Sequence, residues 1–164
     1  MKKILITGGA GFIGYFLSQK LLALGLKVVG IDNLNDYYDP ALKQARLARL
    51  TPSPKYSFIK IDLAGRGGME RLFVEQQFDA VVNLAAQRHV AVSFEEPEYT
   101  ANSDALGTLR LLEAIRILGL EKKNRFYQAS TSELFGKVQE TSQKETTPLI
   151  SRCVRSRRIY LRNP

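Results

Sequence analysis

The sequence of 164 residues contains one cysteine, Cys153, one histidine and no tryptophan. A single cysteine cannot form a disulfide within the chain or supply a cysteine-based zinc site, which fits a reducing compartment. No apolar run approaches the roughly 18 residues that a membrane-spanning helix requires. These absences exclude a disulfide-stabilised secreted domain and a transmembrane protein. They predict a cytoplasmic protein with no membrane partner.

Acidic residues are missing from the last 14 positions, 151–164, which hold five arginines. The whole chain has 24 basic and 16 acidic residues, a net charge of +8, and without this tail the balance is 19 against 16. Such a basic run is more often a solvated tail than a recognition element. Apart from Tyr160 it carries no aromatic residue on which bases could stack. We therefore predict no nucleic-acid partner.

The remaining composition is that of an ordinary globular protein, with 45% hydrophobic and 24% charged residues. The length fits one domain with a substantial core. Lys2 and Lys3 precede an apolar run, as in a secretory signal, but glycines interrupt that run early and no clean cleavage site follows. Collagen-like, disordered and signal-peptide interpretations are therefore disfavoured.

Apolar runs and turn residues alternate along the chain in a way that predicts alternating strands and helices. Strands are expected at residues 4–6, 27–32, 56–61, 80–84 and 125–129. Helices are expected at residues 12–24, 40–50, 67–76 and 97–118. This order implies parallel pairing with right-handed crossovers. The prediction is an α/β fold, a doubly wound parallel sheet in the order 3-2-1-4-5, with ligands at the strand ends near the switch between strands 1 and 4.

A glycine-rich segment, Gly8-Gly9-Ala10-Gly11-Phe12-Ile13-Gly14, stands between the first strand and the first helix. Gly8 would allow a tight turn, Gly11 would let amides approach a pyrophosphate, and Gly14 would let the helix lie close to the sheet. Glycines are also ordinary turn residues, but here a second strand and a terminal acid follow in order. The segment predicts dinucleotide binding, with contacts from Thr7 and from the amides of Gly11, Phe12 and Ile13.

Asp32 ends the second predicted strand, 18 residues after Gly14. Its carboxylate could accept hydrogen bonds from both hydroxyls of the adenosine ribose and would repel a 2′-phosphate. This favours NAD over NADP as the cofactor. The alternative is that Asp32 and Asn33 only cap a loop.

Two further segments end predicted strands at the same edge of the sheet. Asp62-Leu63 follows the third strand and Leu84-Ala85-Ala86-Gln87 follows the fourth. An acid there could hold the adenine amino group, and small residues would let the backbone run beside the cofactor. Both segments could equally be ordinary loops. His89 has no second His or Cys nearby, so we interpret it as a surface or structural histidine and predict no metal site.

Together these segments resemble the extended short-chain dehydrogenase/reductase family, among its nucleotide-sugar epimerases and dehydratases. The resemblance covers about residues 1–149 and implies a Rossmann domain that binds NAD, followed by an unrelated basic tail at 150–164. Residues 30–39 are similar to UDP-glucuronate 4-epimerases. The similarity to GDP-mannose 4,6-dehydratases lies in residues 83–94, 107–116 and 128–136. Those dehydratases commonly use NADP and carry basic residues where this chain has Asp32.

The resemblance also implies a reaction on a nucleotide sugar. The family oxidises C4 of a hexose, passing a hydride to the nicotinamide while a tyrosine, assisted by a lysine four residues later, takes the hydroxyl proton. Thr131 matches the residue that hydrogen-bonds the sugar oxygen, and Ser130 beside it is expected to contact the cofactor. Glu133 matches the dehydratase base that removes the C5 proton before water leaves across C5–C6. The alternative for Thr131 and Glu133 is local capping after a strand.

No Tyr-x-x-x-Lys follows Thr131, where the family's pair is expected, since Tyr160 is followed four positions later by Pro164. The same spacing at Tyr56 and Lys60 falls in the third predicted strand. The sugar-binding half of the family is also absent. We therefore expect a truncated homologue that binds NAD and is inactive alone, and a shifted reading frame after Pro148 is one hypothesis for the tail. The alternative is a non-catalytic NAD-binding or interaction module that forms a homo-oligomer or pairs with a full-length homologue.

Overall fold

The computed structural model describes residues 2–65, 68–87, 92–131, 135, 144, 146 and 147. The chain divides into two compact units, Met1–Gln128 and Ala129–Pro164. All helices and strands named below belong to the first unit. In the second, the amide of Thr147 donates to the carbonyl of Lys144 and the Thr147 side chain is buried. The predicted domain boundary at 149/150 lies outside the described residues and stays a prediction.

The first unit is built on a five-stranded parallel sheet of order β3-β2-β1-β4-β5. Its strands are β1 Lys3–Thr7, β2 Lys27–Asp32, β3 Tyr56–Lys60, β4 Ala80–Asn83 and β5 Arg125–Gln128. The main crossover helices are α1 Phe12–Ala23, α2 Pro40–Leu50, α3 Gly68–Gln76 and α6 Gly107–Ile117. The predicted doubly wound sheet and its strand order are confirmed.

Apolar residues on the two faces of the sheet form two separate cores. Because side chains alternate along a strand, Leu5 faces one core and Ile6 the other. The Leu5 core includes Met69, Leu72 and Phe73 of α3 with Leu111, Ala114 and Ile115 of α6. The Ile6 core includes Tyr15 of α1 with Leu47 and Leu50 of α2. Burial on both faces stabilises the sheet. Because all its strands are parallel, their carboxyl ends lie at one edge.

The helix predicted at 12–24 is present as α1, but its apolar stripe is largely not its packed face. Phe12, Ile13, Phe16 and Leu24 are all more than half exposed, while the buried residues are Gly14, Tyr15 and Ser18. The reason is steric: a methyl group on Gly14 would overlap the carbonyl oxygen of Gly8. The helix therefore turns its small residues inward, and Phe12 and Phe16 contact each other edge to face.

The single helix predicted at 97–118 is instead divided into three segments. These are α5 Pro97–Thr100, a π-helical turn Ala101–Leu106, and α6. A short helix that the sequence did not predict, α4 Val92–Glu95, precedes them. At the junction a methyl group on Gly107 would lie 2.9 Å from Cβ of Leu63, so the helix approaches the β3–α3 loop closely where its winding changes. Among the described residues, no helix is long and apolar enough to cross a membrane.

Candidate functional site

The loop between β1 and α1 is folded around the carbonyl group of Gly8. Gly8 has φ +67°, a conformation that favours glycine. Its oxygen accepts the Gly11 amide at 2.9 Å, and a methyl group on Gly11 would lie 3.0 Å from it. Gly14 is in closer contact with the same oxygen. The tight turn at Gly8 is present, and the close approach of Gly14 is to this loop rather than to the strands themselves.

Gly9 has a packing role that the motif did not predict. Its amide donates to the carbonyl of Ile31 at 2.9 Å, and a methyl group on it would lie 2.8 Å from Cα of Gly30. The loop is therefore pressed directly onto β2, backbone against backbone. A glycine inside an otherwise aliphatic strand, as at Gly30, is the sequence signal for such a close approach.

The N-terminal end of α1 presents free backbone donors. Among the described residues, the amides of Phe12 and Ile13 have no acceptor, as expected for the first turn of a helix. The N-cap residue is Gly11, which has no capping side chain, and the first turn contains no acid. Unsatisfied amides and the positive end of the helix dipole favour an anion here.

Asp32 lies at the end of β2 and is about 9% exposed. Its Oδ1 accepts the Leu34 amide at 2.9 Å and lies 3.5 Å from Nζ of Lys43, while its Oδ2 accepts the Ala10 amide at 3.3 Å. Asp32 thus caps the loop after β2 through the Leu34 amide, as the alternative interpretation predicts. Since each carboxylate oxygen accepts about two hydrogen bonds, Oδ2, which has one donor among the described residues, can accept one more.

Asn33 and Asp62 are brought together at the ends of β2 and β3. The Asn33 side-chain amide donates to Asp62 Oδ2 at 3.1 Å and to the hydroxyl of Tyr99 at 2.9 Å. Asp62 Oδ1 accepts the Ala64 amide at 2.8 Å. Burial, followed by the charge of Asp62, raises the pKa of Tyr99. Tyr99, on α5, was missed because nothing in the sequence predicts its contact with residues 37 or more positions earlier.

Leu63 is buried in the core, and its carbonyl accepts a hydrogen bond from Arg110 of α6. Its side chain and carbonyl are therefore occupied by packing. Its backbone amide is the group through which Leu63 could contact a ligand.

Thr7 and Asn83 join the ends of β1 and β4 at the switch point of the sheet. Both are buried, and the Thr7 hydroxyl donates to Oδ1 of Asn83. The same hydroxyl accepts the amides of Leu84 at 3.0 Å and Ala85 at 2.9 Å. Thr7 thus fixes the path of the loop after β4. A methyl group on Gly8 would lie 3.1 Å from the Ala85 nitrogen, so this loop adjoins the glycine loop.

The loop after β4 is held at its other end by Asp104 of the π-helical turn. Asp104 accepts the amide of Gln87 at 2.7 Å, and burial raises the pKa of its carboxyl group. The backbone carbonyl of Asp104 accepts a hydrogen bond from the hydroxyl of Thr108. That hydroxyl accepts a hydrogen bond from the side-chain amide of Asn83 at 3.1 Å. This chain of contacts connects the predicted segment 84–87 to α6. Ala86, which lies within this segment, is exposed.

A cavity of about 370 Å³ opens beside these strand ends. It is lined by the loop after β2, the loop after β4 and the helices α4 and α5, with side chains from Asn35, Tyr37, Gln87, Glu95, Glu96 and Tyr99. Its acidic lining suits hydrogen-bond donors rather than phosphate groups. The N-terminus of α1 suits an anion better, because its first turn contains no acid. The cavity and the helix end therefore favour ligand groups of opposite charge.

Ser130 and Thr131 belong to the second unit, and Glu133 and His89 lie outside the described residues. In the part of the chain that is described, no group of three or more His, Cys, Asp or Glu side chains is arranged to hold a metal ion. The roles assigned to Ser130, Thr131 and Glu133 stay predictions.

Several curated relatives of this chain are GDP-mannose 4,6-dehydratases. GDP-mannose 4,6-dehydratase of Vibrio cholerae is 52% identical over an alignment of 156 residues that covers 92% of this chain and 41% of that protein. GDP-mannose 4,6 dehydratase 2 of Caenorhabditis elegans is 43% identical over 158 residues, with 92% and 40% covered. The chain therefore spans about two fifths of the length of these relatives.

Solved structures with the same fold include both epimerases and dehydratases. UDP-glucuronic acid 4-epimerase from Bacillus cereus, in complex with UDP-glucuronic acid and NAD, superposes with a TM-score of 0.77 at 31% identity, covering 90% of this chain and 46% of that one. The dTDP-glucose 4,6-dehydratase DesIV from Streptomyces venezuelae, with NAD bound, gives 0.74 at 29%, with 90% and 45% covered. Both neighbours have the Rossmann-type sheet, and both of those structures contain NAD.

The family described as GDP-mannose 4,6 dehydratase matches residues 5–154, nearly the whole chain. The match runs through the glycine loop, the strand-end residues and the region after β5. The chain belongs to the GDP-mannose 4,6-dehydratase family, within the nucleotide-sugar epimerases and dehydratases of the short-chain dehydrogenase/reductase type.

Proposed function

We propose that this chain is the dinucleotide-binding part of a GDP-mannose 4,6-dehydratase and that it binds NAD. The observation that carries the proposal is the open N-terminus of α1, where the amides of Phe12 and Ile13 have no acceptor among the described residues. A methyl group on Gly14 would overlap the Gly8 carbonyl, so the start of α1 lies directly against the glycine loop. Such an end fits a pyrophosphate group.

The strand-end residues support an adenosine on one side of the pyrophosphate. Asp32 Oδ2 accepts one hydrogen bond from the described residues, and its remaining capacity suits a single ribose hydroxyl. Asn33 and Asp62, held together by Tyr99, supply polar atoms for an adenine amino group. Thr7 holds the loop that includes Leu84 and Ala85, and we propose that this loop runs beside the bound cofactor.

In the proposed reaction this part of the enzyme orients the cofactor against C4 of a mannose residue. The bound cofactor would supply the hydride acceptor for C4 oxidation and return the hydride after water has left across C5–C6. We assign hydrogen bonding of the sugar oxygen to Thr131, removal of the C5 proton to Glu133, and a cofactor contact to Ser130. Within these 164 residues no Tyr-x-x-x-Lys follows Thr131 to remove the C4 hydroxyl proton, so we propose that the polypeptide has no turnover alone.

Calorimetric titration of the folded chain with NAD tests the binding proposal. One saturable site is expected, and at 100 times the dissociation constant NAD should raise the free energy of unfolding by about 2.7 kcal/mol. A chain that is folded by circular dichroism and shows no saturable heat at millimolar NAD would overturn the proposal.

A pair of aspartate variants on α1 locates the binding site. Phe12→Asp adds a negative charge at the first turn, where it should repel the pyrophosphate and weaken NAD binding about tenfold. Phe12 is 63% exposed, and its ring contact with Phe16 is lost equally in the control variant below. Phe16→Asp is the matched control, because Phe16 is 54% exposed on the same helix one turn further from the loop. Equal effects of the two variants would contradict an anion site at the helix end.

A turnover assay with GDP-mannose and NAD or NADP separates catalysis from binding. Binding without product is expected for the 164-residue polypeptide. Formation of the 4-keto-6-deoxy product would show that another residue replaces the missing tyrosine, and Glu133→Gln should then abolish it.

A further inference from the structure

Lys43 is a buried lysine on α2 whose ammonium group is fully engaged. The residue is 6% exposed. Its Nζ donates to the side-chain oxygen of Asn35 at 2.7 Å and to the backbone carbonyl of Asn35 at 3.0 Å, and it lies 3.5 Å from Oδ1 of Asp32. A lysine ammonium group has three donors, and these three contacts use them all. Lys43 therefore has no donor left for a ligand and acts on its two neighbours.

The loop that Lys43 closes has a strained conformation. Leu34 has φ +56°, which is uncommon for a residue with a side chain. Its amide is held by Oδ1 of Asp32, and the next amide, of Asn35, is held by the side chain of Asn33 at 3.1 Å. Lys43 links the start of this loop, at Asp32, to its end, at Asn35. The strained backbone is thus fixed from both sides.

The position of Lys43 determines which oxygen of Asp32 is available. With Lys43 and Leu34 on Oδ1, the carboxylate offers its remaining acceptor position on Oδ2, on the side of Ala10 and the glycine loop. Without the ammonium group of Lys43, Oδ1 of Asp32 would keep only the Leu34 amide as a partner. The carboxylate could then rotate, and Oδ2 would no longer point in one direction. A hydrogen bond to a charged acceptor depends strongly on such orientation.

We propose that Lys43 is a positioning residue that gives this site its selectivity for the 2′-hydroxyl of the adenosine ribose, acting through Asp32. The proposal rests on the proposed function, namely binding of an adenine dinucleotide. Lys43 itself touches neither the ribose nor the phosphate. It determines how well Asp32 distinguishes a ribose with its 2′-hydroxyl from one without it.

The test compares the affinities of ADP and 2′-deoxy-ADP, which differ only in that hydroxyl, by calorimetry. The wild-type chain should prefer ADP by about tenfold, the contribution of one charge-assisted hydrogen bond. Lys43→Met should reduce this preference to about twofold, and Lys43→Arg should keep it. Lys20→Met, at an exposed lysine on α1, is the matched control and should leave the preference unchanged.

A double-mutant cycle separates positioning from a general structural role. In the background of Asp32→Asn the preference should be about twofold already, and adding Lys43→Met should change it no further. If Lys43→Met weakens both nucleotides equally, so that the tenfold ratio survives, the proposal is wrong. It is also wrong if Lys43→Met lowers the ratio equally with and without the Asp32 carboxylate.

Two outcomes need separate treatment. If Lys43→Met does not fold, Lys43→Gln, which also removes the charge, takes its place with the same expected ratio. If the wild-type chain binds neither NAD nor ADP, the proposed function fails and this proposal fails with it. Tight binding of ADP with an unaltered ratio in Lys43→Met, or in Lys43→Gln where that variant replaces it, overturns the role of Lys43 alone.

Discussion

The hydroxyl group of Tyr56 is buried without a hydrogen-bond partner among the described residues. Tyr56 is 8% exposed, and its hydroxyl occupies the position that a side chain on Gly30 would take. A buried, unsatisfied polar group costs about 1–3 kcal/mol. Tyr56→Phe removes that cost and leaves a small gap that returns part of it. The variant should therefore be more stable than wild type by about 1 kcal/mol at pH 7.

The same burial makes the wild-type chain sensitive to alkali. Burial, and then the charge of Asp32, raises the pKa of Tyr56 from 10.0 to about 12. In the unfolded chain this tyrosine ionises near pH 10 and in the folded chain near pH 12. Its contribution to stability is thus complete below pH 10 and is lost as the pH rises toward 12. At pH 11, one unit into this window, the loss is about 1.4 kcal/mol.

Urea denaturation followed by far-ultraviolet circular dichroism at pH 7 and pH 11 measures both effects. The advantage of Tyr56→Phe over wild type should grow from about 1 kcal/mol at pH 7 to about 2.4 kcal/mol at pH 11. Tyr127→Phe is the control, since Tyr127 is 60% exposed and should show no advantage at pH 7. The reasoning fails if Tyr56→Phe destabilises the chain at pH 7, or if its advantage is the same at both pH values.

Two further substitutions test the loops of the candidate site. Gly14→Ala should destabilise the chain by about 1–3 kcal/mol despite the higher helix propensity of alanine, because its methyl group overlaps the Gly8 carbonyl. Gly119→Ala is its control, because Gly119 has φ +62° and open space where a methyl group would lie. This variant should lose about 1 kcal/mol of stability from backbone strain alone. An equal loss of stability for both variants in urea denaturation would exclude the overlap at Gly14. Thr7→Val leaves two amides of the loop after β4 without an acceptor and should cost about 2–4 kcal/mol. A thermal unfolding midpoint within one degree of wild type would show that this network is not needed.

The sequence is sufficient for the fold because its apolar runs are buried on both faces of a parallel sheet. The apolar runs at 4–6 and 27–32 predict two central strands that lie side by side in the sheet. The acid at Asp32 and the glycines at 8–14 then meet at the carboxyl edge by topology alone. The helix at 40–50 could be predicted because Asp39 caps it, accepting the Ala41 amide at 2.8 Å, with Pro40 at its first position.

The unpredicted parts depend on contacts between distant residues or on backbone shape. The apolar pattern of α1 was misleading, since packing there is decided by the absence of a side chain on Gly14 rather than by the position of the phenylalanines. Lys43 and Tyr99 look like ordinary surface residues in the sequence. Their roles come from Asp32 and Asp62, which tertiary structure alone brings within reach. The π-helical turn at 101–106 follows a helical pattern that continues without interruption in the sequence.

The hydroxyl of Thr7 has consequences for the order in which the chain folds. Its partners at Asn83, Leu84 and Ala85 are 76–78 residues further along the chain. Closing a loop of that length costs more conformational entropy than pairing β1 with β2, which needs a loop of about 20 residues. On a growing polypeptide β1 and β2 can meet long before β4 has been synthesised. The glycine loop is thus supported on its β2 side first, and its β4 side is completed only when the second half of the sheet docks.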